Sequence, residues 1–201
     1  MGRYASFFKS RENLRRFRIL CHIPQGVRVG LVGFSRGGPL PDPILFSLVS
    51  IVEGGVTFPL SPLVRRFLGF LGVSPILVAP DVFKIITAVE AINSEIGLGL
   101  GLRELCHCYC FRRSEDGIYS LEPRNPDRAL VSIRSESCMD RDVVVVSGSW
   151  EFGRGPRDSS PFPRTSSPLP GLCCQGCSSV FVCLSRMRSN GSVCSFQIWC
   201  N

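Results

Sequence analysis

Four stretches of this chain carry residue types that could do chemistry. In VGFSRGGPL, residues 32–40, Gly33, Ser35 and Gly37 fit G-x-S-x-G, the turn that presents a nucleophilic serine in α/β-hydrolases. In CHCYC, residues 106–110, three thiols and an imidazole lie within five positions. GLGLGL, residues 97–102, has the glycine density of a nucleotide-binding loop. RYASFFKSRENLRRFRIL, residues 3–20, interleaves arginines with Tyr4, Phe7, Phe8 and Phe17. Arginines hold phosphates and aromatic rings stack on bases, so this last pattern suits nucleic acid.

The elements around each stretch decide what it can do. A nucleophile elbow follows a central strand, after several strands have been laid down, and it starts a helix. Only 34 residues precede Ser35, and GGPLPDP behind it does not begin a helix. A triad in the order serine, acid, histidine is restricted to Ser35, one of Asp42, Glu53, Asp81 or Glu90, and His107, which falls in a predicted strand. The stretch reads as a glycine-rich turn with Ser35 as a surface hydroxyl, and no catalytic residue is assigned.

If residues 105–111 form a strand, Cys106, Cys108 and Cys110 share one face and successive thiols stand about 6.6–7 Å apart. Tetrahedral zinc needs its sulfurs only ~4 Å apart. The thiols therefore read as small apolar packing groups rather than metal ligands. In GLGLGL the glycines follow a predicted helix, the reverse of the dinucleotide fingerprint, and no G-x-x-x-x-G-K-[ST] occurs. In the tail only Cys174 and Cys177 form C-x-x-C, no histidine completes a zinc knuckle, and the sequon Asn190-Gly191-Ser192 has no meaning without secretion. No metal and no cofactor is expected.

The elements themselves come from periodicity and punctuation. Ser61, Pro62 and Gly72 mark the start and stop of a helix over 61–71, with Leu63, Phe67, Leu68 and Leu71 as its apolar stripe and Arg65 and Arg66 directed away. A second helix spans 81–96 and closes at Gly97, with Val82, Ile85, Ile86, Val89, Ile92 and Ile96 at three- and four-residue steps. The two should pack face to face. ILFSLVSIV, residues 44–52, is apolar throughout and reads as a buried helix ended by Gly54 and Gly55. From residue 105 the pattern changes to strands: a hairpin turning at SEDG, then candidate strands at 127–133 and 142–150.

Charge divides the chain differently. The net +7 is concentrated at the ends: residues 1–28 hold seven basic residues against Glu12 alone, and residues 159–201 hold three arginines and no acid. Twenty-one of the 23 basic residues are arginine, whose planar fork suits phosphate. The bland counterpart is codon bias, with a solvated terminus whose Phe17 and Ile19 dock on the domain. Charges interrupt the first 20 residues too often for a secretory signal, so the eleven cysteines are expected as free thiols in a reducing compartment, nucleus or cytoplasm. Met1, Gly2 and Ser6 match the loose myristoylation pattern, and the Arg-rich start also fits a transit peptide; a plain basic arm is the simpler reading of both. No apolar run reaches the ~18–20 residues of a membrane span. After Glu151 the composition turns to Ser, Pro, Gly and Cys, too poor in periodic apolar residues to order itself.

The phrases LRRFRI, IPQGVRVGLVG, GGVTFPLSPLVRRFLGFLGVSP, APDVFKIITA, LGLGLRELCHCYCFRR, YSLEPRNPDRALV and VVVVSGSWEF follow one another across residues 14–152. In order and wording they resemble a domain of plant proteins of transposon or retrotransposon, gag-like, type. The resemblance implies association with mobile-element coding regions and contact with proteins or nucleic acid. It implies no reaction and carries no functional residue across. Members of that family continue into a long charged region, whereas this chain turns at Gly153 into GRGPRDSSPFPRTSSPLPGLCC, which suggests a truncated or decayed product.

The expectation is an α+β domain over 29–150: two or three helices and a short antiparallel sheet, between a disordered basic arm at 1–28 and a disordered tail at 151–201. Its function is expected to be non-catalytic interaction, with Arg11, Arg15, Arg16 and Arg18 as the candidate nucleic-acid contacts. Other mobile-element proteins are the remaining partner class, no small-molecule substrate or membrane is indicated, and a Ser35 hydrolase is the remote alternative.

Overall fold

The computed structural model describes residues 3–32, 43–133, 142–151 and 162, and it is a small α+β fold. In chain order a 3-10 helix Ala5–Phe8 leads to α1 (Arg11–Leu20), β1 (Val27–Leu31), β2 (Ile44–Ser47) and α2 (Leu48–Val52). Then come α3 (Pro62–Leu71), a 3-10 turn Pro75–Leu77, α4 (Pro80–Ile96), α5 (Leu102–Cys108), β3 (Tyr109–Arg113), β4 (Tyr119–Pro123) and β5 (Val143–Gly148).

The central helices follow their local code. Ser61 Oγ accepts the N–H of Val64 at 3.2 Å, Pro62 occupies the first turn, and Gly72 ends α3 at φ 63°. Gly97 ends α4 in the same left-handed way at φ 67°. Val82, Ile85, Ile86 and Val89 are buried with Leu63, Phe67 and Leu68 in one core, so the two apolar faces meet. Two positions differ from expectation. Arg65 is buried rather than directed away, because Val64 and Leu68 on either side widen the buried arc of α3. Ile96 is 65% exposed, because α4 outruns the core by its last turn.

The sheets are less local. β5 is the centre of a three-stranded antiparallel sheet in the order β1-β5-β2, with Val29 opposite Val146 and Phe46 opposite Val144. The run 44–52, expected to be one helix, is strand to Ser47 and helix after it. Pairing with β5 draws the first half into the sheet, and an all-apolar run has no period to forbid it. β1 has no counterpart in the expected strands, although Val27, Val29 and Leu31 alternate with Arg28 and Gly30 along it. The sheet therefore begins well before residue 105.

The hairpin β3–β4 stands as expected, closed by Ser114 and Gly117, the latter at φ 80°. Its first residues are a correction: 102–108 form α5, so the expected strand starts only at Tyr109. The Gly101 N–H donates to Glu104 Oε2 at 2.8 Å, a capping contact that favours a helical start. Residues 127–133 form no strand; Asn125 Oδ1 accepts from Asp127 N–H and opens a short 3-10 turn instead.

The largest correction concerns the basic arm. Residues 3–20 fold onto the domain: Phe17 and Ala5 are fully buried, and Phe7 and Phe8 pack on the Phe17 ring at 5.4 and 5.2 Å. Burying aromatic surface of this size outweighs the ordering of a short charged helix. At the other end Phe162 lies edge-on to Trp150 and is buried, so the core reaches past the expected boundary at 150. The remaining tail beyond Glu151 lies outside the described residues.

Candidate nucleic-acid interface

The four arginines singled out from sequence all lie on α1, and they do not share one environment. The helix is well started: Ser10 Oγ accepts from Asn13 N–H at 3.1 Å, and Asn13 Nδ2 reaches the Ser6 carbonyl at 2.9 Å. Glu12 in the first turn complements the helix dipole. Phe17 anchors the inner face, and the outer face presents Arg11, Glu12, Arg15, Arg16, Ile19 and Leu20, all exposed. Ile19 was expected to dock with Phe17. It points to solvent because two positions along a helix turn a side chain by about 200°.

Arg11 and Arg15 are one turn apart, about 6 Å along the axis. Arg16 forms an exposed ion pair with Glu12 at 3.4 Å, which leaves most of its fork open. Arg18 is different. Its Nη1 donates to the Val27 carbonyl at 2.8 Å, and its Nη2 donates to Pro24 O at 2.5 Å and Ile23 O at 3.5 Å. This guanidinium clasps the loop between α1 and β1, beside His22 at φ 51°. Nearby, Arg28 on β1 and Lys9 add exposed positive charge.

The aromatic residues interleaved with the arginines are engaged in packing, Phe17 wholly buried and Tyr4, Phe7 and Phe8 half-buried against the core. Tyr4 lies stacked beside Phe7 at 6.2 Å, its hydroxyl donates to Glu53 Oε1 at 2.8 Å, and Phe17 is wholly buried. Arg3 adds an ion pair to the same Glu53 oxygen at 2.9 Å, fastening the chain start to the end of α2.

The other chemical stretches separate. Ser35 and Asp42 lie outside the described residues, and His107 is exposed on α5. Cys106 and Cys108 are on α5 and Cys110 on β3, so the three thiols do not line one strand face. Burial raises the Cys106 thiol to about 11, with Arg124 opposing and Glu104 adding to the shift; burial alone raises Cys21 to about 11. Both stay protonated at neutral pH and are poor nucleophiles. Among the described residues no three His, Cys, Asp or Glu groups gather as a metal site. No helix among them is long and apolar enough to cross a membrane.

Sequence reasoning weighed Glu90 only as a triad acid and missed its place at the start of α3, where it accepts hydrogen bonds from the Ser61 side chain and Leu63 N–H. Desolvation by burial raises its carboxyl, and those two hydrogen bonds oppose the rise. Nothing in the local pattern around residue 90 marks a contact made across the core. No protein-family model, curated protein or solved structure matches this chain.

Proposed function

We propose that this chain is a non-catalytic interaction domain of plant mobile-element origin that binds nucleic acid through the outer face of α1. The mobile-element origin rests on the resemblance of residues 14–152 set out above. The observation that supports the binding mode is the division of labour on α1: Arg11, Arg15 and Arg16 stand exposed on an ordered helix while the neighbouring rings are turned into the core. A folded helix holds guanidinium groups at fixed spacing, which lowers the entropy lost when they meet a row of phosphates. With the rings withdrawn, the surface contacts the backbone rather than the bases, and binding is independent of sequence.

Fluorescence anisotropy with duplex DNA and RNA between 50 and 200 mM salt tests this. Phosphate neutralisation releases counterions, so the logarithm of affinity falls linearly with the logarithm of salt. The triple variant R11A/R15A/R16A makes that slope shallower by about 2 to 3. An affinity indifferent to salt, or a slope that the triple variant leaves unchanged, overturns the proposal.

A further inference from the structure

Each residue of α1 turns about 100° around the helix axis from the one before it. Phe17 points into the core, so Arg11, Arg15 and Ile19, spaced by four, form a stripe on the opposite side. Glu12, Arg16 and Leu20, also spaced by four, form a second stripe beside it. Both stripes carry arginine in mid-helix and end on an aliphatic side chain, with Ile19 63% and Leu20 65% exposed. The packed side of the helix has no use for them, since Leu14 and Phe17 already supply it.

The same end of α1 is poor in hydrogen-bond acceptors. Arginine has five N–H donors and no acceptor, while isoleucine and leucine have neither. Of the six outward side chains only Glu12 carries an acceptor, and its carboxylate is held by Arg16 at 3.4 Å, two turns before Ile19. The carbonyls that close the helix are in use: Phe17 O accepts from Cys21 N–H at 2.9 Å, Arg18 O from Ile23 N–H at 2.8 Å and Ile19 O from His22 N–H at 3.2 Å.

We propose that α1 selects DNA over RNA, an inference that rests on the reading of this face as a nucleic-acid surface. The phosphates of one strand rest on Arg11, Arg15 and Arg16, and its sugars lie against Ile19 and Leu20. Sugars alternate with phosphates along any strand, so a strand that follows the outward stripe past Arg15 brings a sugar over Ile19. A deoxyribose offers that side chain a C–H surface, and the contact takes apolar area out of water. A ribose offers its 2′-hydroxyl, the group by which a site tells RNA from DNA. Its proton needs an acceptor once water is displaced, and beside Ile19, Leu20 and the arginines it finds none among the outward side chains. Every nucleotide carries the same sugar, so the preference is blind to base sequence. A bilayer also receives arginine beside aliphatic groups, but it needs a broad apolar face, and the other apolar side chains of α1, Leu14 and Phe17, pack into the domain.

The test uses the whole chain and three duplexes of one sequence: DNA, RNA, and RNA with fluorine in place of every 2′-hydroxyl. The fluorinated duplex keeps the shape of the RNA helix and lacks the hydroxyl proton. At one fixed salt concentration, DNA and the fluorinated duplex should each bind at least about fivefold more tightly than RNA. Ile19→Ser sets a hydroxyl acceptor at an exposed position, and it should bring the three affinities within about twofold of one another. Ile19→Val should keep the preference. Salt-dependent binding in which DNA and RNA are equal, a fluorinated duplex as weak as RNA, or a preference that survives Ile19→Ser overturns the inference and leaves the arginine face standing. Displacement of the DNA by an equal charge of phosphatidylserine vesicles also overturns it, in favour of a membrane. Absence of salt-dependent binding to all three duplexes removes the nucleic-acid face itself, and this inference with it.

Discussion

Replacing Arg18 by alanine separates an arginine that builds the α1 surface from those that use it. Its guanidinium makes two short bonds, to Val27 O at 2.8 Å and Pro24 O at 2.5 Å, and a third at 3.5 Å that adds little. A hydrogen bond to a charged group contributes about 1.5–3 kcal/mol when part-buried. The Pro24 bond is exposed and counts for less, and carbonyls freed at a surface regain water. The net cost of Arg18→Ala is therefore about 2–3 kcal/mol, which lowers the melting temperature by roughly 5–10 °C in a chain of this length. The clasp also fixes the angle of α1 to β1, so Arg18→Lys recovers only part of the loss: a single ammonium does not span the carbonyls as the fork does. Thermal melts followed by circular dichroism read the stability, and the salt slope of nucleic-acid binding reads the surface. Arg18→Ala should shift the first and leave the second, while Arg15→Ala should leave the first and make the slope shallower by about 0.9. An Arg18→Ala protein that melts within 1 °C of the parent and loses that same increment of slope would refute the assignment of Arg18 as a clasp.

Two further predictions concern the frame. Because burial raises the Glu90 carboxyl, its protonated form is favoured in the folded state. The associated stability is present below pH 4.5 and is lost as pH rises through the higher folded value. Glu90→Gln keeps acceptors for Ser61 and Leu63 without the buried charge. It should flatten urea-measured stability between pH 4 and 7 with no loss at pH 7, and a clear loss at pH 7 with the slope intact would contradict the assignment. Gly97→Ala costs only the left-handed backbone, about 1 kcal/mol, since a Cβ there meets nothing within 4 Å. Gly148→Ala adds a Cβ 2.3 Å from the Gly26 carbonyl at φ 87°, and it should cost at least ~2 kcal/mol more in urea unfolding; equal losses would show that the close approach is relieved by movement.

Much of the interior was legible because its signals are local. Ser61, Pro62 and Gly72 bracket α3, Gly97 stops α4, and the stripe from Val82 to Val89 identifies the face that meets α3. SEDG placed the hairpin turn for the same reason. Capping, turn formation and helical amphipathicity are decided within a few residues, so they survive in a bare sequence.

The β1-β5-β2 sheet, the fate of the basic start and the role of each arginine were decided elsewhere. Strand pairing joins Val29 to Val146 across more than a hundred positions, and no local period records it. The same residues 3–20 read as a basic arm open to nucleic acid or as a solvated terminus docked on the domain through Phe17. Only the docking of Phe7, Phe8 and Phe17 against a preformed core chooses between them, because the apolar surface they bury does not exist until the rest of the chain supplies the other side. Composition determined that the start of the chain would be basic; tertiary packing decided that Arg18 turns to the backbone while Arg11 and Arg15 face the solvent, since the direction of a side chain is set by what its helix rests upon.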